Sequence, residues 1–340
     1  MKKTLRYILT TLIGLFLLWL VFKNTDYKEL LNAIKKCDPL WFLLCLLTII
    51  TSFFTRVFRW HFIVNTEENV SFRHLFTSTQ IGFLANFILP GRLGEGIRAG
   101  MLTKFTKIPL SKSLTYVVID RVFDLIGLLF ILIFALMGFR PKEDIPLPPE
   151  ILSITIPADI ISKTAFITLL ALFFFLFFAI SFYLYSSRLT EQISKGERFL
   201  GEKITSFIKK IATNIKEAIS IIKNGKGIIF STFFSCLTWM LFWASYVCLL
   251  KGYNLNFPWY TPPVCITMLS ILISIPGAPG FIGQFHAGIL AGLILTIPDI
   301  DLNIARAIAI LAHGANFITV TLVGIICLFI ESNLLNEKGR

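Results

Sequence analysis

The sequence predicts an all-α polytopic membrane protein, and three observations carry that prediction. The chain is 55% hydrophobic and only 15% charged, where a soluble domain carries about 25% charged residues. Several apolar runs approach the roughly 20 residues that cross hydrocarbon as a helix. Lys and Arg gather in the connections between those runs, as the positive-inside bias requires. The net charge of +12 therefore reads as orientation and anionic-lipid contact, and nucleic acid is not expected as a partner. Residues 1–340 read as one integral-membrane domain.

The N-terminal apolar run has signal-peptide flanks but no small-x-small cleavage site before Lys23, so 5–22 is read as an uncleaved first helix. Residues 27–36 place Leu30, Leu31 and Ile34 on one face of a short interfacial helix. Five more runs look able to cross: 39–62, 112–138, 163–186, 227–250 and 304–330. Two other apolar stretches are interrupted. The stretch 72–105 breaks at Pro90, Gly91 and Gly94, and 262–297 breaks at Pro276, Gly277, Pro279, Gly280 and Gly283. Proline and clustered glycine end helices, and irregular backbone at membrane depth survives only inside protein or along a cavity. Both stretches are expected to be broken, re-entrant hairpins.

Charge orients the chain. The connection 187–226 has nine basic and four acidic residues, and 139–162 has two basic and four acidic. Six crossings with both termini cytoplasmic put the first inside and the second outside. The hairpins then enter from opposite sides, and the halves 1–138 and 163–330 read alike. That is the pattern of an inverted-topology repeat, with its site at the broken helices. Pro90-Gly-Arg-Leu-Gly-Glu95 aligns on Pro279-Gly-Phe-Ile-Gly-Gln284, Arg121 falls opposite His313, and Asp124 opposite Asn316.

The block from Asn86 to Arg98, followed by Asp120-Arg-Val-Phe-Asp124, resembles the flippase-like family, also called the lysylphosphatidylglycerol synthase transmembrane family. The Pro-Gly-x-x-Gly turn at Pro279 is similar to the family's second turn, and the resemblance covers essentially the whole chain. It implies translocation of an aminoacylated phospholipid between leaflets, the work of this region in the bifunctional multiple peptide resistance factors. The soluble domain that makes the lipid there has no counterpart of its size in this sequence, so synthase activity is not expected. His286 and His313 hold places where the family usually has an acid and an arginine.

Charged groups at mid-bilayer cost about 2.5–3.5 kcal/mol each on insertion scales, so Arg92, Glu95, Arg98, Asp120, Arg121 and Asp124 need partners or water. Two readings stand side by side. In one, the arginines line a hydrated cavity and grip a lipid phosphate through paired donors, the acids orient them, and His286, His313 and Asn316 complete the site. In the other, these groups are structural ion pairs locking hairpin to helix. Arg56 and Arg59 are read as interfacial anchors, and Trp19, Trp41, Trp60 and Trp259 as an aromatic belt. The six cysteines are scattered without metal or disulfide spacing, and no cofactor or metal is expected.

The expected function is lipid translocation in the cytoplasmic membrane of a prokaryote. The substrate is an anionic-phosphate or aminoacylated phospholipid, or a polyprenyl-phosphate-linked lipid. The alternatives are an integral-membrane transferase acting on a lipid-linked donor and a non-catalytic scaffold. A homo-oligomer and a separate lipid-synthesising enzyme are compatible partners.

Overall fold

The computed structural model describes residues 2–65, 68–89, 93–160, 225–275 and 277–337, together with residues 163–164, 166–171, 173–174, 177–178 and 181. The basic connection 187–224 and the turn residues Pro90, Gly91, Arg92 and Pro276 lie outside the described residues.

Ten helices carry the chain among the described residues. They are α1 (Lys2–Phe22), α2 (Tyr27–Lys35), α3 (Pro39–Val64), α4 (Phe72–Ile88), α5 (Gly94–Thr106) and α6 (Leu110–Gly138), then α7 (Gly225–Gly252), α8 (Thr261–Ser274), α9 (Gln284–Thr296) and α10 (Leu302–Glu337). The described residues of 163–181 are helical too. Starts follow local chemistry. Asp26 Oδ1 accepts from the backbone N–H of Lys28 at 2.8 Å, and Asp38 Oδ1 from that of Leu40 at 2.8 Å ahead of Pro39, so α2 and α3 begin on side-chain caps.

Among the described residues, four stretches are long and apolar enough to cross a membrane: Pro39–Val64, Gly225–Gly252, Pro279–Thr296 and Leu302–Glu331. Three of them coincide with expected crossings. The expected crossing at 112–138 is the unbroken 29-residue α6, about 44 Å long at 1.5 Å per residue. Pro279–Thr296 takes in part of the expected second break and the arm after it, and reaches spanning length by joining the 3₁₀ turn Pro279–Phe281 to α9 across a kink at Gly280. Of the expected crossing at 163–186, 13 of the 24 residues are described, and these are helical. A short antiparallel pair, Ile145–Pro146 with Thr155–Ile156, tightens the 139–162 connection; two residues per strand are too few for an alternation signal in the sequence.

Packing follows an ordered scheme. α3 runs along α7 in the most extensive helix contact. α4 folds on α5, and α8 on α9. α6 packs on α5 and α8, while α10 packs on α9 and α4. One apolar core joins α3, α7, α8, α9 and α10, and a second joins α3, α4, α5 and α6. Leu15, Phe16, Leu43, Leu47, Phe54, Ile229 and Phe329 lie exposed on the outer surface. Apolar exposure on this scale suits a lipid surround and not water.

α2 does form, but it is less superficial than the sequence suggested. Leu30 and Ala33 are buried against Ala307 of α10. Arg306 of α10 is 2% exposed; its Nε donates to the Val21 carbonyl at 2.8 Å and its Nη2 to that of Lys23 at 3.3 Å. It satisfies carbonyls left open at the C-terminus of α1. Cys45, Cys248, Cys265 and Cys327 are buried and all six thiols are free, in keeping with small apolar fillers.

Candidate functional site

The site is built where α3, α5, α6 and α7 meet. Asp120 and Asp124 stand one turn apart on α6 and share a face. Asp120, 2% exposed, accepts from Arg59 Nε at 2.7 Å on one oxygen and from Arg98 Nη1 at 2.6 Å on the other. Asp124 accepts from Arg59 Nη1 and from Arg121 Nη1, both at 3.0 Å. Arg121 also grips both oxygens of Glu95, with Nε at 2.9 Å and Nη2 at 2.8 Å. Ser235 of α7 takes a further bond from Arg59 Nη1 at 3.1 Å, and the Arg98 guanidinium stacks 3.6 Å over the ring of Trp60. One continuous network thus ties four helices together.

A chamber of about 380 Å³ opens beside this network. Arg56, Glu95, Arg121 and Asp124 face it with Asn86, Trp239, Ser270, Ser274 and Asn316 among an apolar surround of Phe53, Phe83, Phe87, Phe242 and Phe281. Asp124 is the central residue of α6, so the charged wall sits halfway along the longest helix of the first half. The volume is that of a small-ligand pocket. Among the described residues no three His, Cys, Asp or Glu side chains converge as metal ligands.

The two hairpins close this region, each pinned by an amide side chain. In the first, the Gly94 backbone N–H donates to Asn86 Oδ1 at 2.8 Å. In the second, Gln284 Nε2 donates to the carbonyls of Leu272 and Ile275, each at 2.8 Å. Gly280 and Gly283 have φ of 64° and 83°, a backbone region that glycine occupies without penalty. Gly277 lies against the Gln284 side chain, where a Cβ would collide.

The structure sorts the residues singled out in the sequence. Glu95, Arg98, Asp120, Arg121 and Asp124 converge in one network, and Asn316 lines the chamber. Arg98 and Arg121 are not free cations, however; both are paired with carboxylates, so the ion-pair reading holds for them. Arg92, Pro90, Gly91 and Pro276 lie outside the described residues. His286 and His313 do not line the chamber. Their rings meet each other 4.8 Å apart, and His313 Nε2 lies 2.8 Å from the Gly280 carbonyl oxygen, so they brace the second turn.

Two residues read as boundary features belong to the centre. Arg59 is not an interfacial anchor; it is 2% exposed and joins Asp120 to Asp124. Trp60 is not in an aromatic belt; it is fully buried beneath Arg98. Arg56 also departs from the boundary, since it lines the chamber. The available signal was that Arg56 and Arg59 are the only charges in 39–62 and lie one turn apart, on one face of the helix.

Known proteins give this arrangement its relatives. A UPF0104 membrane protein of Methanothermobacter thermautotrophicus is 29% identical over 115 residues, covering 32% of this chain and 33% of that protein. The UPF0104 membrane protein MJ1595 of Methanocaldococcus jannaschii is 25% identical over 363 aligned positions, covering 100% of this chain and 98% of its own length. The family model described as "Lysylphosphatidylglycerol synthase TM region" matches residues 7–324. That match takes in both hairpins, the charged network and the chamber, and the chain belongs to the lysylphosphatidylglycerol synthase TM region family.

Proposed function

We propose that this protein is a lipid translocase of a prokaryotic cytoplasmic membrane, acting as a transporter and not as a synthase. The observation that carries the proposal is the chamber: polar and charged on one wall, aromatic around the rest, halfway along α6 and flanked by two broken helix pairs. A lipid changing leaflet must bring a phosphate through hydrocarbon, and desolvating that charge is the main barrier. Fixed guanidinium groups and amides in a shielded cavity lower it. The substrate class is a lipid with an anionic phosphate, whether a phospholipid, an aminoacylated phospholipid or a polyprenyl-phosphate-linked lipid.

The alternating-access plan we assign is an inverted repeat, with α3–α6 matched to α7–α10. Exchanging the halves turns α5–α6 packing into α9–α10, α4–α10 into α8–α6, α3–α4 into α7–α8, and α3–α7 into itself; all these contacts exist. That correspondence supports a two-fold relation between halves. α5 and α8 have 13 and 14 residues, about 20 Å at 1.5 Å per residue. That is short of a 30 Å hydrocarbon core and supports re-entrant hairpins.

The Arg121–Glu95 pair is the moving contact in this reading. Arg121 is 37% and Glu95 26% exposed at their side chains, whereas Arg59, Arg98 and Asp120 are sealed. The test is purified protein in liposomes with leaflet-specific lipid assays. Arg121→Gln and Arg92→Gln should each stop translocation while leaving insertion and folding intact. Undiminished movement of phospholipids and polyprenyl phosphates by both variants would sink the role of these arginines.

A further inference from the structure

We infer that Arg56 is the head-group receptor of the chamber, and that the ligand it takes carries a single negative charge on a phosphodiester. The inference rests on the translocase reading and names the residue and charge class that reading leaves open. It begins with the charges. Four guanidinium groups, Arg56, Arg59, Arg98 and Arg121, meet three carboxylates, Glu95, Asp120 and Asp124, among the described residues. Each carboxylate bonds Arg59, Arg98 or Arg121. Arg56 has no carboxylate within ion-pair distance among the described residues, and the surplus of one positive charge is its own.

Its surroundings make this cation a receptor and not a spare. The guanidinium lies 4.9 Å from the ring centre of Phe83 and 4.8 Å from that of Phe242. Two aromatic faces hold a cation without neutralising it, and they fix the plane of its donors. Arg56 Nε is buried without a hydrogen-bond partner, and leaving a charged donor unmade at that depth is costly. Trp239, on the same chamber wall, has a buried indole Nε1 without a partner as well. Its ring is held against Gly127, where a Cβ would collide with it. Arg56 and Trp239 both line the cavity, and the unbalanced positive charge there is that of the guanidinium. A phosphodiester monoanion balances that charge and supplies acceptor oxygens to a guanidinium. A zwitterionic head group adds its own cation beside Arg56, and a phosphomonoester dianion leaves one negative charge unbalanced.

The test measures binding in detergent micelles, apart from transport. Dihexanoyl phosphatidylglycerol, dihexanoyl phosphatidylcholine and free glycerophosphoglycerol are titrated below micelle formation by calorimetry. Tryptophan fluorescence is read in parallel, and the Trp239→Phe variant identifies the part of the signal due to Trp239. Wild type is expected to bind the phosphatidylglycerol roughly tenfold or more tighter than the phosphatidylcholine, the size of one charge-assisted contact. Arg56→Gln is expected to erase that preference, while Arg56→Lys, which keeps the charge but loses the planar donors, recovers part of it. Equal affinity of wild type for the two lipids, or a preference kept by Arg56→Gln, overturns the inference. If Arg56→Gln does not fold, the wild-type comparison and the Trp239-dependent signal decide alone. Free glycerophosphoglycerol, a phosphodiester without acyl chains, binding as tightly as the lipid keeps Arg56 as an anion receptor but removes the lipid from the proposed function. Lost binding with intact translocation in Arg56→Gln separates the two the other way.

Discussion

At the scale of single residues, what distinguishes this site is how unevenly its cations are employed. Asp120 receives two arginines in a sealed pocket, whereas Arg56 lines the chamber with its guanidinium against two rings. Removing one member of a buried pair leaves an uncompensated charge and costs about 3–5 kcal/mol. Asp120→Asn is therefore expected to lower the thermal midpoint in detergent sharply, because Arg59 and Arg98 both lose a carboxylate. Adding Arg98→Met should recover part of that loss, since one orphaned charge goes with it. Arg56→Gln should cost far less stability, because no carboxylate depends on it. A larger destabilisation from Arg56→Gln than from Asp120→Asn would reverse this assignment of roles.

At the scale of elements, the hairpins depend on glycine for contact as much as for turning. A Cβ at Gly94 would fall on the Gly82 carbonyl and the Asn86 amide, and one at Gly288 would lie 2.6 Å from Leu269 Cα. Gly292 similarly lets α9 approach Cys265 of α8. Gly94→Val and Gly292→Val should each destabilise by about 1–3 kcal/mol or more through overpacking and block translocation. Gly96→Ala is the control, since a Cβ at Gly96 meets nothing within 4 Å. Unfolding curves and liposome assays on the three variants check this. Normal folding of Gly94→Val would mean that α4 and α5 do not need their close approach.

At the scale of the whole molecule, orientation can be read with a native residue. Cys37 lies in the connection between α2 and α3, which the charge map places outside. Burial, and then the charge of Asp38, raise its thiol pKa above the ordinary 9.0, so the thiolate is scarce at neutral pH. An impermeant maleimide should label Cys37 from outside only, with a rate that climbs about tenfold per pH unit from 7 to 8.5 as thiolate forms. Asp144→Cys should label from the same side and Lys203→Cys from the other. Labelling of Cys37 from inside would invert the map and exchange the entrances of both hairpins.

Sequence by itself determined the class of this protein, because apolar run length and loop charge answer to the bilayer and not to neighbouring helices. It also determined where helices break, since Pro and Gly act through the local backbone; Gly280 and Gly283 adopt positive φ where a turn was expected. The gathering of Glu95, Arg98, Asp120, Arg121 and Asp124 was legible for a related reason: charges in apolar helices must find one another. Only the tertiary structure decided which partners they found. Arg59 reads as a boundary residue until α6 presents Asp120 and Asp124 to it, and His286 and His313 read as site residues until the second turn draws them together. That Arg56 has no carboxylate partner among the described residues is likewise invisible in sequence, because Arg56, Arg98 and Arg121 are alike as letters. Pairing depends on which helix faces lie within about 3 Å of each other, and that is set by packing across the whole bundle.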